Sequence, residues 1–102
     1  MAFIIIYMTF PDMKDAHRVC DAILEKRLIA CVNYFPIKSA SWWTGRIVEV
    51  GEVVAIAKTR KENWKKVRDA VQKMHKYKVP CIMKLDVEAN KGYEDWIRKE
   101  TR

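Results

Sequence analysis

The stretch of sequence that decides the fold runs from residue 28 to residue 59 and reads LIACVNYFPIKSASWWTGRIVEVGEVVAIAKT. Two segments rich in β-branched and aromatic residues meet at Thr44-Gly45, a pair that favours a tight turn because glycine tolerates a positive φ. The pattern predicts a hairpin with strands over about 30–43 and 45–59. Each arm of about 14 residues would span roughly 45 Å, whereas a domain of this length is only about 30–35 Å across. We therefore expect the hairpin to project beyond its own core.

The segments on either side of the hairpin predict the remaining elements. Residues 3–9 are β-branched and aromatic, as in a buried strand, and Asp12 is placed to cap a following helix. The sequence from Thr59 to Glu62 has the pattern of a capping box that opens a second helix, and alternation over 81–87 predicts a fourth strand. A short helix ends the chain over 93–101. The helices carry apolar stripes at helical spacing, Ala16, Val19, Cys20, Ile23 and Leu24 in the first, Trp64, Val67, Val71 and Met74 in the second, and Tyr93, Trp96 and Ile97 in the last.

This order of elements, βαββαβ plus a terminal helix, predicts an α+β fold of the ferredoxin-like class in one domain over residues 1–102. Its antiparallel sheet would carry the first two helices on one face. The other face would then meet solvent or another subunit, and its apolar content favours a subunit. Within the hairpin, Pro36 is compatible only with an edge strand or a bulge, and Gly51 suggests a second irregularity.

The composition indicates the cellular compartment in which the protein is expected. The chain has 102 residues, of which 50% are hydrophobic, and no apolar run approaches the length of a membrane span. We expect no signal peptide, because no basic region precedes the apolar residues 3–8 and no small-residue cleavage site follows them. Three cysteines, an odd number without a CxxC pair, favour a reduced, cytoplasmic location. No membrane partner is expected.

The positive charge is concentrated in one element. The net charge is +7, and residues 58–78 hold nine basic and two acidic residues, so this segment accounts for the whole excess. Such a helix is either a solvated face or a surface for anions or nucleic acids. We expect a solvated face and no nucleic-acid partner, because no aromatic platform for stacking bases accompanies it.

A set of residues spread over the whole chain resembles the CutA divalent-cation tolerance family. The chain departs from the usual family pattern at Ser41, where the family usually has Tyr, at Lys76, where it has Pro, and at Cys81, where it often has Glu. The resemblance implies a compact homotrimer, with no obligatory cofactor, that acts in tolerance of divalent metal ions, copper foremost. The matching residues, in chain order, are Thr9, Pro11, Ala16, Cys31-Val32-Asn33, Ser39, Trp43-Thr44-Gly45, Glu52, Lys58-Thr59, His75, Tyr77, Val79-Pro80, Tyr93 and Trp96.

Other functions known for ferredoxin-like folds lack their residues here. Where a copper chaperone has a CxxC loop after the first strand, this chain has residues 9–12, Thr-Phe-Pro-Asp. An RNA-recognition domain needs aromatic residues on its third strand, and residues 46–57 contain none. The three glycines are scattered, so no phosphate-binding glycine loop is present, and no spacing suggests a catalytic triad or carboxylate pair. The sequence therefore does not predict an enzyme.

Metal binding is the chemistry that the resemblance leaves open. It implicates Cys31 and His75 as metal ligands, and thiolate with imidazole suits copper or zinc. Cys81 follows Pro80 and could lie close to His75. The alternative is that Cys31 is a small buried residue on a strand and that His75 simply ends a helix, where its charge suits the helix dipole. On the metal-binding interpretation, we predict a divalent metal site at Cys31, His75 and Cys81.

The tryptophans and three polar residues suggest an interface or a pocket. Trp42 and Trp43 are consecutive in a strand and therefore point to opposite faces, so at least one should anchor a subunit contact or line a pocket. Trp64 and Trp96 are expected in the core. The CutA trimer resembles the PII signalling proteins, which bind anionic ligands between subunits. Here Glu52, Lys58, Tyr77 and the basic helix 60–76 could line such a cleft; a third alternative is a scaffold whose trimer is itself the function.

Overall fold

A computed structural model describes residues 3–102 of the chain. The predicted elements are all present, and their bounds lie within about two residues of those expected except at the start of the second helix, which begins at Trp64 and not directly after Thr59. In this part of the chain no helix is long and apolar enough to cross a membrane. The elements are β1 (Phe3–Phe10), α1 (Met13–Glu25), β2 (Cys31–Trp43), β3 (Arg46–Thr59), a 3-10 turn (Lys61–Asn63), α2 (Trp64–Met74), β4 (Ile82–Val87) and α3 (Lys91–Glu100).

The four strands form one antiparallel sheet in the order β2-β3-β1-β4. The first strand is therefore central, and β2 and β4 are the sheet edges. This order and the βαββαβ succession confirm the predicted α+β, ferredoxin-like fold.

The core lies between the sheet and the first two helices. Every second residue of β1 points to this side, and these residues, Ile4, Ile6, Met8 and Phe10, are at most 1% exposed. The predicted helix stripes face them and are buried or packed against the core in both α1 and α2, which confirms that these two helices share one face of the sheet. Cys20 belongs to this core, where burial raises the pKa of its thiol to about 12.

The cap that was predicted for the start of α1 is present, whereas the one that was predicted for α2 is not. Asp12 caps α1, since its Oδ1 accepts the amide of Asp15 at 2.8 Å. The capping box at Thr59 is wrong: Thr59 is the last residue of β3, and its buried hydroxyl donates to the carbonyl of Leu28 at 2.6 Å. Asn63 donates to the same carbonyl at 3.1 Å, so these side chains join the end of β3 to the segment before β2. A buried hydroxyl needs a partner, and this use of Thr59 takes precedence over capping.

The hairpin is regular along its whole length. Strand pairing runs without a bulge from Cys31 opposite Lys58 to Trp43 opposite Arg46. The two turn residues both have positive φ, 48° at Thr44 and 81° at Gly45, as a two-residue turn of the primed kind requires. The irregularity predicted at Gly51 is therefore wrong, whereas Pro36 does lie on an edge strand.

The outer half of the hairpin extends beyond the rest of the sheet. The last pair between β1 and β3 joins Phe10 to Val53, so residues 37–52 pair only with one another. The molecule measures 45 × 23 × 20 Å, which confirms the predicted projection. At the tip, Trp42, Trp43 and Ile47 are 74%, 67% and 65% exposed.

The face of the sheet opposite α1 and α2, here called the open face, is largely uncovered. Phe35, Met83 and Leu85 on this face are 41%, 49% and 54% exposed. The terminal helix covers one end of it, because Tyr93 on α3 lies with its ring centroid 5.9 Å from that of Phe3.

The two tryptophans expected in the core have different environments. Trp64 is partly buried against the core, as predicted. Trp96 is 40% exposed, so its core placement is wrong. Ile97, the next residue, takes the inward position instead and is 1% exposed.

Candidate functional site

The segment after α2, residues 75–79, forms a loop that begins with a fixed histidine. His75 Nδ1 accepts the amide N–H of Tyr77 at 3.0 Å, and Nε2 lies 2.7 Å from the carbonyl oxygen of Thr9. A carbonyl can only accept, so Nε2 is the donor in this contact. The ring also stacks on Phe10 at 4.8 Å between centroids. One ring nitrogen therefore fixes the backbone of the loop itself, and the other holds the loop against the end of β1.

A second hydrogen bond holds the same loop against the hairpin. The hydroxyl of Tyr77 donates to Glu52 Oε2 at 2.8 Å. Burial, together with this carboxylate, raises the pKa of Tyr77 to about 12, so the phenol keeps its proton and remains the donor. Glu52 lies on the part of β3 that β1 does not reach, and the loop thus braces the base of the projecting hairpin.

Two basic side chains tie the loop to α1. Arg18 Nη2 donates to the carbonyl of Met74 at 2.8 Å, just before the loop. Lys76 Nζ lies 3.4 Å from Oδ2 of Asp15, whose side chain is almost fully buried. The loop is therefore attached at several points, to β1, to the hairpin and to α1.

A cavity of about 650 Å³ lies between this loop and the open-face side of the hairpin. Sites for small molecules commonly fall in the range of about 300–1,000 Å³. The walls combine aliphatic and aromatic surface with two lysines and one carboxylate. The hairpin contributes Ser41, Trp43, Val48, Val50 and Glu52, and the loop contributes Lys76, Tyr77, Lys78 and Val79. A smaller hollow of about 350 Å³ lies at the end of α1, beside Trp96.

Three of the predicted interface or pocket residues meet at the larger cavity. Trp43, Glu52 and Tyr77 all line it. Trp42 points to the other side of the hairpin, as expected for consecutive strand residues. Lys58 lies six residues, roughly 20 Å, along β3 from Glu52 and does not share the cavity within one chain. Its Nζ donates to Asn33 Oδ1 at 2.7 Å and lies 5.8 Å from the ring centroid of Tyr93.

The structure does not bring the predicted metal ligands Cys31 and His75 together within one chain. Register places Cys31 level with Ile5 of β1, across β3, whereas His75 is bonded at Thr9, roughly 13 Å farther along that strand. The Cys31 thiol lies 3.4 Å from the hydroxyl of Tyr93.

The third predicted ligand, Cys81, lies just before β4. Burial first, and then the charge of Glu52, raise the pKa of its thiol, so the environment disfavours the thiolate that a metal needs. Among residues 3–102, no group of three or more His, Cys, Asp or Glu side chains is arranged to hold a metal ion. The candidate donors therefore do not form a metal site in a single chain, and their ligation of a metal stays a prediction.

Several cavity residues escape sequence reasoning. The period of two along β3 places Val48 and Val50 on the same side as Glu52, so their position could have been inferred from the strand pattern. Lys78 and Val79 carry no such signal. They follow the end of a helix, and only the contacts of His75 and Tyr77 with distant strands define where they lie.

The fold and this site define a ferredoxin-like protein with a projecting hairpin and a cavity at the hairpin base. A family model described as CutA1 divalent ion tolerance protein matches residues 4–100, and the chain belongs to this family. The divalent-cation tolerance protein CutA of Archaeoglobus fulgidus is 47% identical over 93 residues, which cover 90% of this chain and 91% of the relative. The resemblance inferred from the sequence is thereby confirmed.

Solved structures agree with this assignment. The crystal structure of CutA1 from Pyrococcus horikoshii superposes with a TM-score of 0.94 at 40% identity, over 97% of this chain and 98% of that one. A structure described as the periplasmic divalent cation tolerance protein CutA from Archaeoglobus fulgidus has a TM-score of 0.94 at 44% identity, over 100% of both chains. The overlong hairpin and the sheet are therefore features that this chain shares with its family.

Proposed function

We propose that the protein acts as a homotrimer in the cellular response to divalent metal ions, copper foremost, and that it catalyses no reaction. Membership of the divalent ion tolerance family supports the link to metal ions. The observation that supports the proposed homotrimer is the uncovered apolar surface of the open face. Phe35, Met83 and Leu85 are each 41–54% exposed on one continuous sheet face. Such a surface is typical of proteins that bury it against a partner.

The hairpin supports a second copy of the same chain as that partner. Among the residues that the structure describes, β3 from Arg46 to Glu52 has β2 on one side and no strand on the other, so its backbone along this edge pairs with no other strand. In the same part of the chain, the outer edges of β2 and β4 pair with no strand. Soluble proteins seldom leave long apolar edges open, and a symmetric assembly would pair them. The resemblance to the CutA family supports an assembly of three copies.

The proposed metal binding is a property of the assembly and not of a single chain. Cys31, His75 and Cys81 make no chelating group in one chain, and both nitrogens of His75 are already hydrogen-bonded. A copper site at these residues would have to combine donors from different copies or displace one of the His75 bonds. Soft thiolate donors favour copper(I) in either case.

The cytoplasm is the proposed location. All three cysteines are free thiols, which is usual in a reducing compartment. A solved relative from Archaeoglobus fulgidus is described as periplasmic. Fractionation of the source cells, with detection of the protein by antibody, decides between the two compartments.

The cavity favours a second candidate function, a trimeric sensor of small molecules comparable to the PII proteins. Its volume of about 650 Å³ suits a small ligand, and its polar groups lie beside apolar walls. A sensor of this kind would bind its ligand at the hairpin base, close to the surface proposed for assembly.

Two measurements test these proposals. Light scattering at low micromolar concentration should give about three times the chain mass of 12.1 kDa. A mass of 12.1 kDa would contradict the assembly. Calorimetric titration of the same sample with copper and zinc then tests the metal function: stoichiometric copper binding supports it, and no heat with either ion contradicts it.

A further inference from the structure

We propose that the cavity between the hairpin and the 75–79 loop binds a small molecule that has a planar ring with an N–H donor at one end and an anionic group at the other. This inference rests on the second candidate function and names the class of its ligand. It follows from what the walls of the cavity offer and from which of their groups are already engaged.

The ring is assigned to the hairpin side of the cavity. Trp43 on β2 is 67% exposed, and Val50 on β3, which lies on the same face four residue pairs nearer the hairpin base, is 46% exposed. On the loop side, Val79 is 88% exposed. An indole beside aliphatic side chains forms a flat apolar surface, and a planar ring placed on it would remove this area from water.

The anionic group is assigned to Lys78. The cavity has two lysines, and Lys76 already faces the carboxylate of Asp15 at 3.4 Å. Lys78 forms no ion pair with the residues that the structure describes, and its side chain is exposed at the rim. It is the cation of this cavity that remains free to meet a carboxylate, sulfonate or phosphate.

The N–H donor is assigned to Glu52. Its Oε2 accepts the hydroxyl of Tyr77 at 2.8 Å, and within residues 3–102 its other oxygen, Oε1, receives no hydrogen bond. Oε1 is not buried, so it is accessible from the cavity and can accept a hydrogen bond from a ligand that donates to it. The negative charge of Glu52 disfavours an anion at this end of the cavity. The ligand is therefore oriented with its anionic group towards Lys78.

The loop that carries half of these groups is held in place before any ligand arrives. His75 bonds to Thr9, Tyr77 bonds to Glu52, and Arg18 bonds to the backbone at Met74. Binding therefore requires little ordering of the loop, and less conformational entropy is lost.

The test uses calorimetric titration of the wild-type protein with adenosine 5′-monophosphate, which has an amino group on a planar base and an anionic group at its far end. Adenosine lacks the phosphate, and purine riboside 5′-monophosphate lacks the amino group. Both should bind more weakly than the parent nucleotide. Indole-3-acetate, a planar N–H donor with a carboxylate, tests whether the anion is a phosphate or a carboxylate.

Lys78→Gln is the variant that tests the assignment, and Lys65→Gln on the exposed surface of α2 is its control with the same charge change. Lys78→Gln should weaken binding of the anionic ligand roughly three- to fivefold, as expected for an exposed ion pair, without affecting adenosine. Lys65→Gln should change neither. Equal effects of the two variants would overturn the assignment, as would a protein that binds neither the nucleotide nor indole-3-acetate.

The mass of each sample is measured alongside binding. A trimer that binds none of these ligands overturns the ligand inference and leaves the assembly standing. A monomer overturns the proposed assembly, whatever it binds.

Discussion

The hydroxyl of Tyr77 donates a hydrogen bond of 2.8 Å to the carboxylate of Glu52, and this contact joins two segments that are 25 residues apart in the chain. It fixes the loop after α2 to the hairpin just beyond the point where β1 ends. The cavity exists because the loop is held there. The contact is therefore the first target for experiment.

Replacing Tyr77 by Phe removes this hydrogen bond and keeps the ring. We expect the free energy of unfolding to fall by about 1.5–3 kcal/mol, the usual contribution of a hydrogen bond to a charged group, as measured by denaturant titration. Tyr34→Phe is the matched control. Among residues 3–102, the buried Tyr34 hydroxyl has no hydrogen-bond partner apart from the weakly accepting sulfur of Cys20, so its loss should change stability little or raise it slightly. Equal losses in both variants would show that the contact with Glu52 contributes nothing specific.

The same tyrosine should make stability depend on pH in the alkaline range. Burial and the Glu52 carboxylate raise the pKa of Tyr77 from 10.0 to about 12 in the folded protein. The folded state thus holds the proton more tightly than the unfolded chain, and this contribution is complete below pH 10 and is lost as pH rises towards 12. The stability difference between wild type and Tyr77→Phe should therefore shrink over that range. A constant difference from pH 8 to pH 12 would contradict the assignment.

Arg60 should stabilise the terminal helix. Its guanidinium donates to the carbonyl of Thr101 at 2.9 Å, to the hydroxyl of the same residue at 3.0 Å and to the carbonyl of Arg98. Arg60→Ala should cost about 1.5–3 kcal/mol, because carbonyls at the end of α3 lose a charged donor. Hydrogen exchange should become faster in α3 before it does in β1. Glu100→Gln removes only the exposed ion pair with Arg27 and should lower the free energy of unfolding by less than about 1 kcal/mol. A larger loss would contradict the expectation that the contacts of Arg60 contribute more than this ion pair.

The open face should control assembly. Leu85→Glu places a charge on this apolar surface, and we expect the trimer to dissociate, because a buried unpaired carboxylate is strongly unfavourable. Lys84→Glu is the control, since the neighbouring residue of β4 points to the other side of the sheet. Light scattering reads out both. If Leu85→Glu keeps the wild-type mass, the open face is not the contact between copies.

Copper binding should depend on thiols and on assembly together. We expect Cys31→Ser and His75→Gln each to weaken copper(I) binding, whereas Cys20→Ser should not, because Cys20 is fully buried in the core. Binding should also weaken as pH falls, since protons compete with the metal for the donors. Because the donors do not meet in one chain, Leu85→Glu should lose copper binding as well. Unchanged titrations in the Cys31 and His75 variants would remove these residues from the metal site.

Much of the fold is predictable from local sequence. The hairpin follows from strand residues around Thr44-Gly45, and the helices follow from their apolar stripes, because these signals act between near neighbours. The failures have non-local causes. Thr59 has the sequence of a helix cap but bonds to Leu28, 31 residues away, and Trp96 shares its helix stripe with Ile97, which takes the inward position.

The cavity shows the same division. Val50 and Glu52 are placed by the period of the strand, and Trp43 by its position beside the turn. The loop side depends on contacts such as that of His75 with Thr9, 66 residues apart, and no local pattern encodes it. The separation of Cys31 from His75 is likewise a matter of register across three strands, which becomes known only with the whole sheet.

Strand pairing is unbroken from Cys31 to Trp43, so the length of the two-residue turn sets the register of the entire outer hairpin. A single residue inserted between Trp43 and Thr44 would leave the composition almost unchanged, yet it would shift β2 by one step against β3. Every side chain of the shifted arm would then exchange faces, so that Trp42 would take the place of Ser41 on the cavity side and Trp43 would face away. The length of the turn at Thr44-Gly45 thus specifies which indole the loop faces, although neither turn residue lines the cavity.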